Sequence, residues 1–501
     1  MTIFALTNWK NFLYIINLIK MKLRFILSVL FLSTFTIFAQ AKKEPFKLKI
    51  KAKGLENKYC LLANHMGSNK YKIDSLAFDK KGETVYIDKE DKIKGGIYMI
   101  VFPTMGNNYV EFLVSKKEMN MELLFDSFNI NKVQIKNSVE NDYFYSEIKF
   151  VEPLYKEMNE LKSKFTAANS DEMEKKKIEE RMKQMDKMIQ DKRDGVIKTN
   201  PNLLYSKIMK MMKEIDVPDA PRKTDGTLID SNFQYNYYKS HYWDNIDLND
   251  DRLLYTPVFE GKFKTFFDKI VLKHPDTLKA EIDLFLNKIK DPNSMINRYC
   301  LGSLINDFAN SKIMGQDALY VHLVRNYYQK GKAPWTDSAT IQKMKYDADD
   351  IEPLLIGKVA PNFAAFDTTL VKSNQLYNMK SEYKVLVFWN PDCGHCKKEI
   401  PKLDSIYPDL LKRNTDVFAV STITDKGNNI DDWKNFIKNN KLRFKNYADP
   451  KFQMNPLFLV LYHIKATPEY FILDKNNKII AKKLAPEQMP GFIDNYNKTF
   501  K

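Results

Sequence analysis

The stretch Phe388-Trp389-Asn390-Pro391-Asp392-Cys393-Gly394-His395-Cys396 decides how the C-terminal part of this 501-residue chain is read. Lys384–Trp389 is a short apolar run of the kind that makes a buried strand. After it, Cys396, Ile400, Leu403, Tyr407 and Leu410 recur at helical spacing and would share one face, with Lys397 and Lys398 toward solvent. A helix over Cys393–Leu411 is therefore expected, bent at Pro401. Two residues between the cysteines place both sulfurs on its first turn, close enough for a small disulfide ring. Unpaired backbone N–H groups and the positive end of the macrodipole favour a thiolate there. The thiolate is the form that attacks disulfides. Cys393 is the expected exposed nucleophile, and Cys396, one turn deeper, the expected resolving thiol.

A structural zinc site is the other reading of a close cysteine pair. It needs about four ligands, usually from two such pairs. The chain has four cysteines, Cys60, Cys300, Cys393 and Cys396, and no second close pair. His395, between the cysteines, is poorly placed as a third ligand. Cys60 and Cys300 lie far apart in sequence and read as two separate buried thiols. No metal-ligand spacing and no phosphate-binding glycine loop appears elsewhere, so no cofactor is expected.

Around the cysteine pair the pattern alternates strand and helix. Gly357–Phe363 opens the unit. Asp416–Thr422 reads as a strand and Asp431–Asn439 as a helix carrying Trp433. Tyr470–Asp474 and Lys478–Lys482 read as a hairpin across Lys475-Asn476-Asn477, followed by a helix from Pro486 or Pro490 to about Phe500. This order predicts an α/β domain over residues 350–501 with a central sheet. An acidic segment, Tyr346–Ile356, reads as the linker before it.

These features resemble the thioredoxin superfamily, in particular the exported thiol–disulfide oxidoreductases of the ResA/TlpA-like branch. The matching residues are Phe388-Trp389, the Cys393–Cys396 pair, Lys397-Lys398-Glu399, Pro401 and Thr467-Pro468. The resemblance covers about 145 residues, from Gly357 to the C-terminus. It implies a thioredoxin-like fold and a redox disulfide between Cys393 and Cys396. It implies a cis Pro468 facing that disulfide, with the backbone beside it pairing to substrate. Trp389, Gly394, His395, Thr467 and Pro468 would support the site. Glu399 would sit near the sulfurs and assist proton movement to or from Cys396. Thioredoxins proper place a buried Asp two residues before the Trp, where this chain has Val387, so Glu399 or water would take that role. Gly394-His395 resembles the filling of protein disulfide isomerases, and an imidazolium beside Cys393 would stabilise the reduced form. Asp392 would act the other way. The partners implied are thiols and disulfides of exported proteins, and a thiol electron donor, membrane-bound or not.

The rest of the chain divides by pattern. Phe46–Ile50 alternates apolar and polar, and Ile97–Phe102, Tyr109–Val114 and Met121–Phe125 are β-rich between turn signals. Residues 42–140 are expected to form a small all-β domain of sandwich type. Residues 141–345 read as a helical domain, with Ile178, Met182, Met185 and Ile189 on one helix face, an N-cap at Asn169 or Ser170, and a loop over Val217–Ser231. Both regions resemble domains of unknown function found ahead of thioredoxin domains in exported bacterial proteins.

At the N-terminus, Lys20, Lys22 and Arg24 precede an apolar run, Phe25–Phe38, and then Ala39-Gln40-Ala41. Charge, apolar core and small residues in that order read as a signal peptide over residues 1–41, with Met21 an alternative start. The expected destination is the periplasm or cell envelope. Net charge is +16, but Lys and Arg mix with Asp and Glu and no basic block interleaves with aromatics, so nucleic-acid binding is not expected. Two further functions remain open at this level. One is a peroxiredoxin-type peroxidase, since Val359–Phe363 resembles that family's opening, although Asn390 stands where such an enzyme needs a Thr. The other is a partner- or ligand-binding role for the first ~350 residues, with an accessory redox domain.

Overall fold

The computed structural model describes residues 44–103, 106, 108–127, 129–167, 172–423, 430–448 and 457–500. The expected signal peptide and the expected caps Asn169 and Ser170 lie outside them. Contacts group the described chain into two compact units, one within Met1–Ala63 and Lys72–Ser146, the other within Asn64–Tyr71 and Glu147–Lys501.

The first unit is built on strands β1 (Lys47–Lys53), β2 (Tyr59–Met66), β3 (Asn69–Ala77), β4 (Glu83–Ile87), β5 (Gly96–Phe102), β6 (Asn108–Val114), β7 (Asn120–Asp126) and β8 (Asn129–Lys136). They form two four-stranded sheets, in the orders β4-β1-β7-β8 and β3-β2-β5-β6. In β1 the alternation does the sorting: Leu48, Ile50 and Ala52 are buried while the lysines between them face outward. Leu48, Ile50, Leu62, Tyr98, Phe112 and Leu123 share one core, so the two sheets are the faces of a sandwich. Helix α1 (Val139–Ala167) begins inside this unit. The Asn141 side chain bonds both backbone groups of Leu113 at 2.8 Å, and the Tyr145 hydroxyl donates to the Glu111 carbonyl at 2.7 Å. The division between the two units therefore falls within α1, between Ser146 and Glu147, rather than at its start.

In the second unit, α1 is followed by α2 (Glu172–Thr199), α3 (Leu204–Met212), α4 (Phe233–His241), α5 (Pro257–Thr265), α6 (Pro275–Leu286), α7 (Met295–Ala309), α8 (Asp317–Leu323) and α9 (Ser338–Ile351). Ile178, Met185 and Ile189 are buried along α2, as their spacing predicts. The acidic segment expected as a linker proves helical: Tyr346–Ile351 continues α9, and Glu352–Leu354 adds a 3-10 turn. Asp337 caps α9 by accepting the Thr340 N–H at 2.9 Å, and the helix then runs through the acidic residues because nothing in them breaks it.

The C-terminal part carries β9 (Ala364–Asp367), β10 (Ser373–Gln375), β11 (Tyr383–Trp389), α10 (Gly394–Lys412), β12 (Thr415–Ser421), α11 (Ile430–Asn439), β13 (Lys445–Ala448), α12 (Leu457–Leu461), β14 (Glu469–Leu473), β15 (Ile479–Lys482) and α13 (Met489–Phe500). Its seven-stranded sheet has the order β10-β9-β13-β12-β11-β14-β15. β11 runs parallel to β12 and antiparallel to β14, and β14 turns back onto β15 as the expected hairpin. Every residue of β11 is buried. One face packs under α10 and the other under Phe363, Phe458 and Tyr462. A strand covered on both faces favours apolar residues, which explains the unbroken run Val385–Trp389; Lys384, at its start, is buried with its ammonium reaching the Asp474 carbonyl at 3.4 Å.

Candidate functional site

The site stands where β11, a central strand of the sheet, hands over to α10. β11 ends at Trp389, and Cys393 is the residue immediately before the helix, with an extended backbone (φ −72°, ψ 121°). No side-chain oxygen caps α10. The group in that place is the Cys393 sulfur, and the backbone N–H groups of Cys396 and His395 face it. Burial alone would raise the Cys393 thiol. The hydrogen bonds from the Cys396 and Thr467 side outweigh that effect and hold it below the ordinary thiol value.

Cys396 is different in kind. It is wholly buried in the cluster formed by Ile400, Leu403, Trp389 and Tyr470. Burial pushes its thiol up to about 12, against the effect of the Asn390 N–H, which reaches its sulfur at 3.4 Å. One sulfur is thus half-exposed and inclined to ionise, and the other is enclosed and holds its proton. Each pKa unit of separation is worth about 1.4 kcal/mol between the two charge states.

The loop before β14 closes the site. The Thr467–Pro468 bond is cis, and the Cys393 Sγ lies 3.1 Å from the Thr467 carbonyl oxygen. Residues 74 apart in sequence therefore meet at the Cys393 sulfur. Trp389 is fully buried, packs on Phe436 with ring centroids 5.2 Å apart, and accepts the Thr422 N–H on its carbonyl at 2.8 Å. It anchors the strand end from which the cysteine loop departs. Gly394 and His395 are exposed. A Cβ placed on Gly394 would meet nothing within 4 Å, so the space beside that residue is open.

Glu399 is half-buried on α10, and its carboxylate is bound by Lys402 at 2.9 Å. Lys402 also reaches Glu487, in the 3-10 turn Pro486–Gln488, at 3.1 Å. The sequence pattern missed Asn390, whose backbone N–H serves the Cys396 sulfur, because a backbone donor leaves no trace in residue type.

Residues 356–482 match the AhpC/TSA family. The segment is 29% identical over 147 residues to the thiol-disulfide oxidoreductase ResA of Bacillus cereus, covering 29% of this chain and 80% of that protein. The C-terminal domain belongs to the thioredoxin-like thiol–disulfide oxidoreductases. This oxidoreductase domain is also 30% identical over 109 residues to the sporulation thiol-disulfide oxidoreductase A of Bacillus subtilis, over 62% of that protein. Among solved structures, a domain of a possible thiol-disulfide isomerase from Cytophaga hutchinsonii is 35% identical, covering 29% of this chain and 96% of that one, with a TM-score of 0.27. Ahead of the oxidoreductase domain, residues 172–351 match a domain of unknown function, DUF5106.

Proposed function

We propose that this oxidoreductase exchanges disulfides with exported proteins, with Cys393 as the attacking thiol and Cys396 as the resolving one. The observation that carries the reading is the asymmetry of the pair. Cys393, at the start of α10, is held below the ordinary thiol value, while Cys396 is buried with its thiol raised to about 12. The Cys393 thiolate attacks one sulfur of a substrate disulfide, and the other leaves with the electron pair. Cys396 then attacks Cys393, releases the substrate thiol and closes the Cys393–Cys396 disulfide. Substrate backbone would lie along Thr467, beside cis Pro468, where the open space before Gly394 admits it. Glu399 would move the proton of Cys396. A thiol protein would return the electrons, and neither a metal nor a nucleotide is required.

Export rests on the N-terminal sequence, Lys20 to Ala41, and makes the periplasm or cell envelope the place of action. Among the described residues no helix is long and apolar enough to cross a membrane.

The test is an equilibrium redox titration of the full chain in glutathione buffers, with Cys393→Ser as control. About 30 mV corresponds to about 1.4 kcal/mol for a two-electron couple. A potential near that of thioredoxin marks a reductase, and one near that of the disulfide isomerases marks an oxidant or isomerase. Absence of a reversible couple would sink the assignment.

A further inference from the structure

We propose that the cavity between helices α7–α9 and the loop carrying cis Pro468 receives a basic side chain of the substrate polypeptide, with Glu469 as its counter-charge. The inference rests on the thiol-exchange reading above and names a substrate class for that same site.

The sheet fixes where Glu469 stands. It is the first residue of β14, follows Pro468 directly and pairs with Phe388 on β11. Successive side chains of a strand point to opposite faces. Tyr470 packs with Cys396 and Ile400 of α10, whereas Phe471 packs with Phe363, Phe458 and Tyr462 on the other face. Glu469 shares the face of Phe471, and both line a cavity of about 370 Å³, within the range of ligand pockets. The facing wall is helical and includes Ala309 of α7 and Asp347 and Ile351 of α9. Both walls belong to one compact unit.

Ion pairs hold the walls together. His463 Nδ1 meets Asp350 at 2.9 Å, and Lys465 meets Asp347 at 3.4 Å. Lys482 pairs with Asp317 and donates to the Leu354 carbonyl at 2.9 Å. The cavity is thus preformed, and each of these charges is answered. Glu469 has neither an ion pair nor a hydrogen bond among the described residues. Burial holds its carboxyl above the ordinary value, and Lys483 and Lys482 offset that only in part. Lys483 also lines the cavity, but it is exposed to water and lies beyond ion-pairing distance of Glu469. A carboxylate withdrawn from water is costly unless a cation comes to it.

The cavity begins beside the Cys393 sulfur. Ala466, exposed on its lining, precedes Thr467, whose carbonyl lies 3.1 Å from Cys393 Sγ. Extended chain spans about 3.3–3.6 Å per residue. A substrate strand bonded to Cys393 and laid along Thr467 therefore brings a residue within about three positions of its cysteine to the cavity. Lys and Arg suit it, with an apolar stem against Ile351 and Phe471 and a charged head for Glu469.

The experiment uses the reduced full-length chain and short alanine-based peptides whose single cysteine carries a nitrothiobenzoate disulfide. Cys393 bonds to the peptide sulfur, the peptide's sulfur–sulfur bond breaks, and nitrothiobenzoate leaves with the electron pair, which absorbance follows. Arg, Ala or Glu stands at each of about three positions on either side of the cysteine. In about 0.15 M salt, where charges beyond about 8 Å are screened, the best Arg peptide is expected to react at least about tenfold faster than its Glu counterpart. The ratio is taken within one protein, so a general loss of activity cancels. Glu469→Gln should reduce it to within about twofold. Ala309→Arg, which sets a cation in the helical wall at an exposed position, should do the same and carries the test if Glu469→Gln fails to fold. A ratio within twofold in the wild-type chain, or one that survives either substitution, overturns the proposal. A wild-type chain that releases nitrothiobenzoate from no peptide overturns the thiol-exchange assignment itself.

Discussion

Cys60 in the β-sandwich and Cys396 in the oxidoreductase domain have nearly the same local chemistry. Both are fully buried, and burial pushes both thiols up to about 12. Cys60 sits within β2 in a core of Leu48, Ile50 and Leu62, and like Cys396 it is a free thiol. Cys396 sits one turn into a helix whose first residue is preceded by a second sulfur. The difference teaches that burial alone does not set two thiols apart. What does is whether a partner sulfur stands where backbone N–H groups can favour its ionisation.

Removing that partner should have the largest effect. Cys393→Ser is expected to lower disulfide reduction by at least about a thousandfold, to the level of buffer thiols, as loss of an attacking group does in other enzymes. Cys396→Ser should leave the attack intact and accumulate the mixed disulfide, seen as a single covalent adduct by mass spectrometry. If Cys396→Ser instead blocked the first attack, the two roles would have to be exchanged. Alkylation of Cys393 by iodoacetamide should reach half its maximal rate at a pH below 9.0, the ordinary thiol value, because its pKa is lowered. A midpoint at or above 9.0 would remove the helix-terminus account.

A smaller effect separates the His395 ring from its backbone. The sequence suggests that the imidazole favours the Cys393 thiolate, while in the structure the His395 group that faces the sulfur is its backbone N–H. The exposed ring acts through solvent and is screened. His395→Pro removes ring and N–H together and should make the couple more reducing by about 30 mV or more, the worth of one charge-assisted hydrogen bond. His395→Ala keeps the N–H and should move it less. Equal shifts for both variants would return the role to the ring.

The same contrast explains what the sequence made legible. The cysteine pair, the buried strand before it, the helix face below it and the closing hairpin all follow from residue type and spacing, because each is a local pattern. The features that need distant chain do not. Strand β3 is mostly exposed and carries no clean alternation, so it escapes a search for half-buried strands. Tyr346–Ile351 is as acidic as a linker, yet it continues a capped helix. Asn141 looks like a helix residue and serves as a backbone partner for β6. The meeting of Cys393 with the Thr467 carbonyl, across 74 residues, is set by the sheet order, which no local pattern encodes.

The smallest expected effect lies in the sandwich. Cys60→Ala should leave disulfide exchange unchanged and cost about 1–2 kcal/mol of stability at pH 7, the loss from emptying part of a packed core. The pH dependence of that cost has a definite sign. The folded Cys60 thiol is raised to about 12 from 9.0, so the folded state keeps its proton where the unfolded state has lost it. Its contribution is fully present below pH 9.0 and is lost as pH rises toward 12. By about pH 10.5 ionisation of the unfolded thiol favours unfolding of the wild-type chain by about 2 kcal/mol, at about 1.36 kcal/mol per unit. Cys60→Ala lacks this penalty. The difference in urea midpoint between wild type and variant should therefore shrink with pH and vanish near pH 10–10.5, about where the two terms cancel. A difference that stays constant from pH 7 to 10.5 would mean that Cys60 becomes accessible before it ionises. It would then resemble Cys393 more than Cys396, and the comparison between the two buried thiols would fail.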